Sequence, residues 1–131
     1  MLQYKAGESM IPSQMLKGTL EGCVLAILSQ EETYGYQISR RLEQYGFGTI
    51  AEGTIYPLLL RLEKNEAVTA VFRESDLGPK RKYYMLTEKG RAELRDFLES
   101  YRELTGAVER LALDMKGMLD EQTEKSAAGR E

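Results

Sequence analysis

Residues 53–68, GTIYPLLLRLEKNEAV, decide how the chain folds. Proline has no amide hydrogen, so a helix tolerates it in the first turn but loses about 3 kcal/mol when it sits in the interior. Pro57 therefore predicts a helix that opens near Gly53 and closes near Asn65, with Thr54 as its N-cap. At about 100° per residue, Ile55, Leu58, Leu59 and Leu62 share one face. The other half keeps Gly53, Tyr56, Pro57, Leu60, Arg61 and Lys64. A hydrophobic interior accounts for the first set and leaves a tyrosine and a leucine of the second to face something else.

Downstream, VTAVFR (68–73) and KYYML (82–86) are rich in β-branched and aromatic residues and flank the turn-forming cluster ESDLGP (74–79). That pattern predicts a two-stranded hairpin with a long tip. Its return strand opens with Lys80-Arg81-Lys82, the densest run of bases. Thr87 is placed to cap a last helix, along which Leu94, Tyr101, Val108 and Met115 alternate with Phe97, Leu104, Leu111 and Met118 in a heptad seam. Such a seam calls for a second helix. Gly106 interrupts it with a residue about 1 kcal/mol poorer than alanine in a helix, a place for a kink or a close approach.

Upstream, Ser13 reads as the N-cap of a first helix over Gln14 to Ser29, where Leu16, Leu20, Val24, Ile27 and Leu28 recur at spacings of three and four. Tyr34 to Tyr45 reads as a second helix with Ile38, Leu42 and Tyr45 inward, stopped by Gly46. Three helices, a two-stranded hairpin with a basic tip and a long striped helix make a mainly α fold with a small β-hairpin. This is the order of a winged helix-turn-helix plus one long C-terminal dimerisation helix, in which the third helix enters the major groove and the hairpin touches the flanking backbone. The expected organisation is an N-terminal arm over 1–13, a winged helix-turn-helix DNA-binding domain over 14–86, a dimerisation helix over 87–119 and a polar, disordered tail over 120–131.

Composition narrows the chemistry. The chain has 131 residues, one cysteine and no histidine, which leaves no room for a disulfide framework, a thiolate zinc site or a cysteine-histidine or serine-histidine nucleophile. An enzyme would need a carboxylate pair, and the acids are scattered along helical surfaces, so neither enzymatic activity nor a cofactor is expected. Cys23 lies within LEGCVLAIL and reads as a small buried apolar residue, with a redox sensor as the alternative. The net charge is −3, but residues 17–90 balance ten bases against ten acids, and the deficit lies after residue 90. A neutral front with clustered bases is compatible with DNA. No run of the roughly 20 apolar residues needed to span a membrane is present, and MLQYKAGESM has no apolar signal region, so a cytoplasmic protein without a membrane partner is expected.

GTIYPLLLRLEKNEAV (53–68), GPKRKYYMLTEKG (78–90) and the YGYQI that opens the second helix, taken together in this order, resemble the signature segments of PadR-family transcriptional regulators. The resemblance extends over roughly residues 13–115. IPSQMLKGT and LESYREL, with a single short C-terminal helix, are similar to the small, multidrug-sensing subtype of that family. It implies a homodimeric repressor that binds an operator in double-stranded DNA and is released by an apolar or aromatic small molecule held at the dimer interface. Two departures stand out. Glu66 occupies the place where the family usually has glycine, so Asn65 is expected to supply the left-handed residue of the helix stop. The drug-sensing members stack flat ligands on a tryptophan of the last helix, whereas this chain has none and places Tyr101 at the similar position.

Candidate DNA contacts follow. Tyr56 can hydrogen-bond a phosphate or a base edge, and Thr54 can do so from the helix start; surface packing and capping are the alternatives. Leu60 suits a thymine methyl, and Arg61 and Lys64 reach backbone or bases, unless Arg61 pairs with a nearby carboxylate and Lys64 is merely solvated. Lys80, Arg81 and Lys82 are the strongest electrostatic candidates, against the alternative of a solvated loop. The resemblance adds Lys17 and Gln37 as phosphate contacts. For the dimer interface the seam supplies Phe97, Leu98, Tyr101, Leu104, Val108, Leu111 and Met115. If the first helix crosses the partner's last helix, Met15, Gly22, Ala26, Tyr101 and Thr105 either line an effector pocket or pack solid. The competing function is a winged-helix protein-interaction module that does not bind DNA.

Overall fold

The computed structural model describes residues 11–115 and residue 117. The tail expected over 120–131, most of the arm expected over 1–13 and the seam position Met118 lie outside the described residues. The chain divides into two compact units, one ending at Asp96 and one beginning at Phe97.

In the first unit the elements run α1 (Ser13–Leu16), α2 (Leu20–Gln30), β1 (Thr33–Tyr34), α3 (Gly35–Leu42), a π-turn (Glu43–Phe47), α4 (Glu52–Lys64), β2 (Val68–Ser75), β3 (Gly78–Leu86) and the start of α5 (Glu88–Asp114). The single first helix expected over 14–29 is two helices. Thr19 donates both its amide, at 2.9 Å, and its hydroxyl, at 3.0 Å, to the Leu16 carbonyl, and this local competition beside Gly18 breaks the ladder. Ser13 makes no cap either. Pro12 stands in the cap position and its carbonyl accepts the amides of Met15 and Leu16.

The second helix is shorter than expected, because Thr33 and Tyr34 are extended and pair with Tyr84 and Tyr83 of β3. The sheet therefore has three antiparallel strands in the order β1-β3-β2, where a two-stranded hairpin was expected. After Leu42 the helix widens into the π-turn, which carries Tyr45 off the buried face and leaves it exposed, hydrogen-bonded to Gln30. Gly46 ends the segment in the left-handed region at φ 103°, as its position predicted. The hairpin tip is shorter than expected too. β2 runs through Ser75 and β3 starts at Gly78, so Asp76 and Leu77 alone make the turn.

Pro57 lies inside α4 instead of in its first turn, and Thr54 is not the cap: the helix begins at Glu52, and the Thr54 amide donates to the Ala51 carbonyl at 2.9 Å. The proline is tolerated because the carbonyl it cannot engage belongs to Gly53, an exposed residue with open space around it, where water can take over. The core joins Leu20, Val24, Leu25, Ile27 and Leu28 of α2, Ile38 and Leu42 of α3, Ile55, Leu58, Leu59 and Leu62 of α4, and Val68 and Tyr84 of the sheet. Tyr84 is the one β3 residue that is fully buried.

The stop of α4 and the start of α5 are tied together. Glu66, not Asn65, takes the left-handed conformation, at φ 64°, while Asn65 stays at φ −83°. The Ala67 amide reaches the Leu62 carbonyl at 2.9 Å and the Glu66 amide the Glu63 carbonyl at 3.0 Å, the two bonds of a Schellman stop. Thr87 caps α5 as expected, accepting the Gly90 amide at 3.0 Å. Its hydroxyl also donates to the Glu66 carbonyl at 2.6 Å and its amide to that of Ala67 at 3.1 Å. Lys89 donates to the Asn65 carbonyl.

In the second unit the helix continues to Asp114, unbroken at Gly106. Leu98, Tyr101, Leu104, Val108, Leu111 and Met115 are all exposed, Phe97 is half-buried, and the rings of Phe97 and Tyr101 stack with centroids 6.0 Å apart. No helix among the described residues is long and apolar enough to cross a membrane.

Candidate nucleic-acid interface

With Ile55, Leu58, Leu59 and Leu62 committed to the core, the opposite face of α4 is centred on Gly53, Pro57, Leu60 and Lys64, all exposed. Leu60 is 58% exposed, and Lys64 has no carboxylate partner among the described residues. Two flanks border this face. Tyr56, 46% exposed, lies on the side of α3 and β3, its ring over Gly35: a Cβ at Gly35 would come within 2.7 Å of it. Desolvation, with smaller contributions from Glu52 and Tyr84, pushes the Tyr56 phenol above its ordinary pKa, so it remains a hydrogen-bond donor at neutral pH.

On the other flank, α1, the 47–51 loop and α4 enclose an open groove of about 580 Å³. Lys17, Thr54 and Arg61 meet on its lining, over an apolar floor that includes Leu16, Leu20, Ile50 and Leu58. Arg61 has taken the alternative foreseen for it, an ion pair with Glu21 at 3.3 Å. Gln37, in the first turns of α3, is half-buried.

The basic run is not at the tip of the hairpin. Lys80, Arg81 and Lys82 lie within β3, with Arg81 paired opposite Arg73 and Lys82 opposite Phe72. Two guanidinium groups directly across a strand pair repel. Each is held by a ring: Arg81 lies 4.6 Å over Tyr34, Arg73 lies 4.7 Å over Tyr83, and the two tyrosines meet at 5.3 Å. Nothing local in the sequence marks Arg73, because its importance depends on register. The two-residue turn alone would set Arg73 opposite Lys80, and a one-residue irregularity of the register between Arg73 and Ser75 brings it opposite Arg81 instead. Lys82 turns toward α4 and donates to Glu63 at 2.8 Å; that hydrogen bond holds its ammonium above the usual lysine pKa. Lys80 pairs loosely with Glu74 at 3.7 Å.

The effector candidates are distributed over both units. On the first, Gly22 is buried, Ala26 half-buried and Met15 exposed, and none of the three lines the groove beside α4. On the second, Tyr101 is exposed and the Thr105 hydroxyl donates back to the Tyr101 carbonyl at 3.0 Å. Burial of Cys23 raises its thiol pKa, which disfavours the reactive thiolate a redox sensor needs.

Helices α2 to α4, a strand-paired basic hairpin and an exposed face on the third helix of the unit's core define a winged-helix DNA-binding fold. Residues 24–96 match the model of the PadR-like transcriptional regulator family, and the chain belongs to that family. Its members are DNA-binding transcriptional regulators, not enzymes. An uncharacterised protein of Lysinibacillus sphaericus is 31% identical over 111 residues, covering 83% of this chain and 99% of that protein. The crystal structure of a PadR-like transcriptional regulator from Bacillus cereus superposes with a TM-score of 0.68 at 50% identity, over 75% of this chain and 95% of that one. Bacillus subtilis PadR in complex with operator DNA is similar at 28% identity and a TM-score of 0.57, over 61% of this chain and 46% of that one.

Proposed function

We propose that the chain is a cytoplasmic homodimeric repressor whose two copies of α4 enter successive major grooves of a pseudo-palindromic operator, about one helical turn apart. The observation that carries this reading is the exposed Gly53, Pro57, Leu60 and Lys64 face of α4, backed by a core that fixes its direction. Gly53 and Pro57 present little side chain, so the helix backbone can sit deep in a groove. Leu60 then meets thymine methyls, and Lys64 meets phosphate or a guanine edge. Tyr56, Thr54, Arg61, Lys17 and Gln37 take the flanking backbone, and Lys80, Arg81 and Lys82 track phosphates from the wing. In this reading the segment 14–86 is the DNA-binding domain and 87–119 the dimerisation helix.

The stripe of Phe97, Leu98, Tyr101, Leu104, Val108, Leu111 and Met115 supports the dimer, because a helix this apolar along one side wants a second copy. Between subunits, Met15, Gly22, Ala26, Tyr101 and Thr105 would grip a flat apolar effector, whose binding shifts the dimer between two spacings and releases DNA. The test is titration of the chain's own promoter duplex and a random duplex over a range of salt. A steep salt dependence and a preference for the promoter are expected. Equal, salt-insensitive binding to both sequences, or a monomer by light scattering, would refute the reading.

A further inference from the structure

We propose that Glu21, Glu32, Glu63 and Glu74 are intramolecular competitors of DNA phosphate, which occupy Arg61, Arg73, Lys82 and Lys80 in the uncomplexed protein and so set the strength and salt dependence of backbone binding. The inference rests on the DNA-binding reading above and concerns residues to which that reading gives no role. Among the described residues there are four carboxylate ion pairs, and every one of them ends on a cation of α4 or of the hairpin. The bases of α5, by contrast, form none, although Glu93, Asp96, Glu99 and Glu103 lie on the same helix. Pairing is thus concentrated where phosphate would arrive.

The four pairs are graded. Lys82 and Glu63 are the least exposed, with 29% and 36% of their side chains accessible, and are the closest to ideal at 2.8 Å. Arg73 with Glu32 and Arg61 with Glu21 are more open, and Lys80 with Glu74, at 3.7 Å, is the loosest. A phosphate that takes Lys82 has to displace Glu63, and the released carboxylate gathers a cation from solution. This uptake offsets part of the counterion release that drives association with DNA. A protein whose wing bases were unpaired would hold any duplex more tightly and respond more steeply to salt.

The experiment is fluorescence anisotropy with a labelled random-sequence duplex, comparing wild type with Glu63→Gln, Glu74→Gln, Lys82→Ala and the Glu63→Gln/Lys82→Ala double variant. Glu103→Gln, on α5, is the charge-matched control. Glu63→Gln is expected to tighten binding about threefold, the scale of a partly exposed ion pair, and Glu74→Gln less. The log–log salt slope of Glu63→Gln should steepen by up to about 0.9. In the Lys82→Ala background the same change should do nothing, since the cation it unblocks is gone.

Tightening of equal size in Glu103→Gln would mean a long-range charge effect, and tightening that persists without Lys82 would mean a different route; either overturns the proposal, as does unchanged binding in Glu63→Gln. Wild type that binds no duplex even at low salt fails differently, because it removes the DNA-binding reading itself. Thermal melts of each variant confirm that folded protein is compared.

Discussion

Glu66→Gly tests the energetics of the joint between α4 and the sheet. Glu66 is the one non-glycine residue among those described with positive φ, and it sits at the left-handed position of a complete Schellman stop. An L-residue in that conformation carries a penalty of about 1–2 kcal/mol. Glycine removes it but enlarges the unfolded ensemble, at a cost of about 0.5–1 kcal/mol. No side-chain contact of Glu66 is lost, because only its backbone is engaged, the amide by Glu63 and the carbonyl by Thr87. The net expectation is stabilisation by about 0.5–1 kcal/mol, or about 2–4 °C in Tm. Glu66→Asn should fall between the two, since asparagine tolerates the left-handed region better than glutamate. Urea and thermal melts followed by helix circular dichroism read the difference. A glycine variant no more stable than wild type would show that the strain assigned to φ 64° is not stored at this residue.

Three other substitutions probe separate contacts. Gly90→Ala would place a Cβ 2.0 Å from the Ala67 carbonyl oxygen, a backbone atom that cannot step aside, so destabilisation of about 2 kcal/mol or more is expected in the same melts. Gly35→Ala would meet the Tyr56 ring at 2.7 Å, and a ring can swing; stability should change little while duplex affinity falls, which anisotropy would detect. Cys23 should react with iodoacetamide more slowly than a free thiol near pH 8, because burial raises its pKa and folding favours the protonated form. The stability that this preference contributes is present below the unfolded thiol's pKa and is lost as pH rises through the folded one, so alkaline melts of wild type and Cys23→Ala should diverge.

Much of this fold is written in local patterns. The apolar spacing of Ile55, Leu58, Leu59 and Leu62 placed the buried face of α4 correctly, and Gly46 and Thr87 marked a stop and a cap through their own chemistry. What escaped is what depends on competition between nearby groups or on partners far along the chain. Thr19 splits the first helix by offering its neighbours a better local bond. Thr33 and Tyr34 become a strand because β3 lies beside them, and nothing within a two-residue segment announces that. Glu66 accepts a conformation its residue type disfavours, because Ala67 and Leu62, both buried, hold the turn from either side.

The candidate interface divides the same way, and the division bears on how an acidic chain can bind DNA. Which residues of α4 face outward follows from helical geometry, so Leu60 and Lys64 could be named in advance. Which bases are available could not, because Arg61 and Glu21 are 40 residues apart and Arg73 and Glu32 are 41 apart. A count of bases and acids treats a lysine beside a carboxylate and one in water as the same charge, yet they give different counterion exchange with a polyanion. As proposed DNA contacts, Arg81 stacked on Tyr34 and Lys64 on the open face would meet phosphate without displacing an acid, whereas Lys82 and Arg61 would not. Lys64→Ala should therefore weaken duplex binding and flatten its salt slope by nearly a full phosphate's worth, while Lys82→Ala flattens it by less. Equal slopes for the two variants would show that pairing in the uncomplexed protein has no bearing on the ions exchanged.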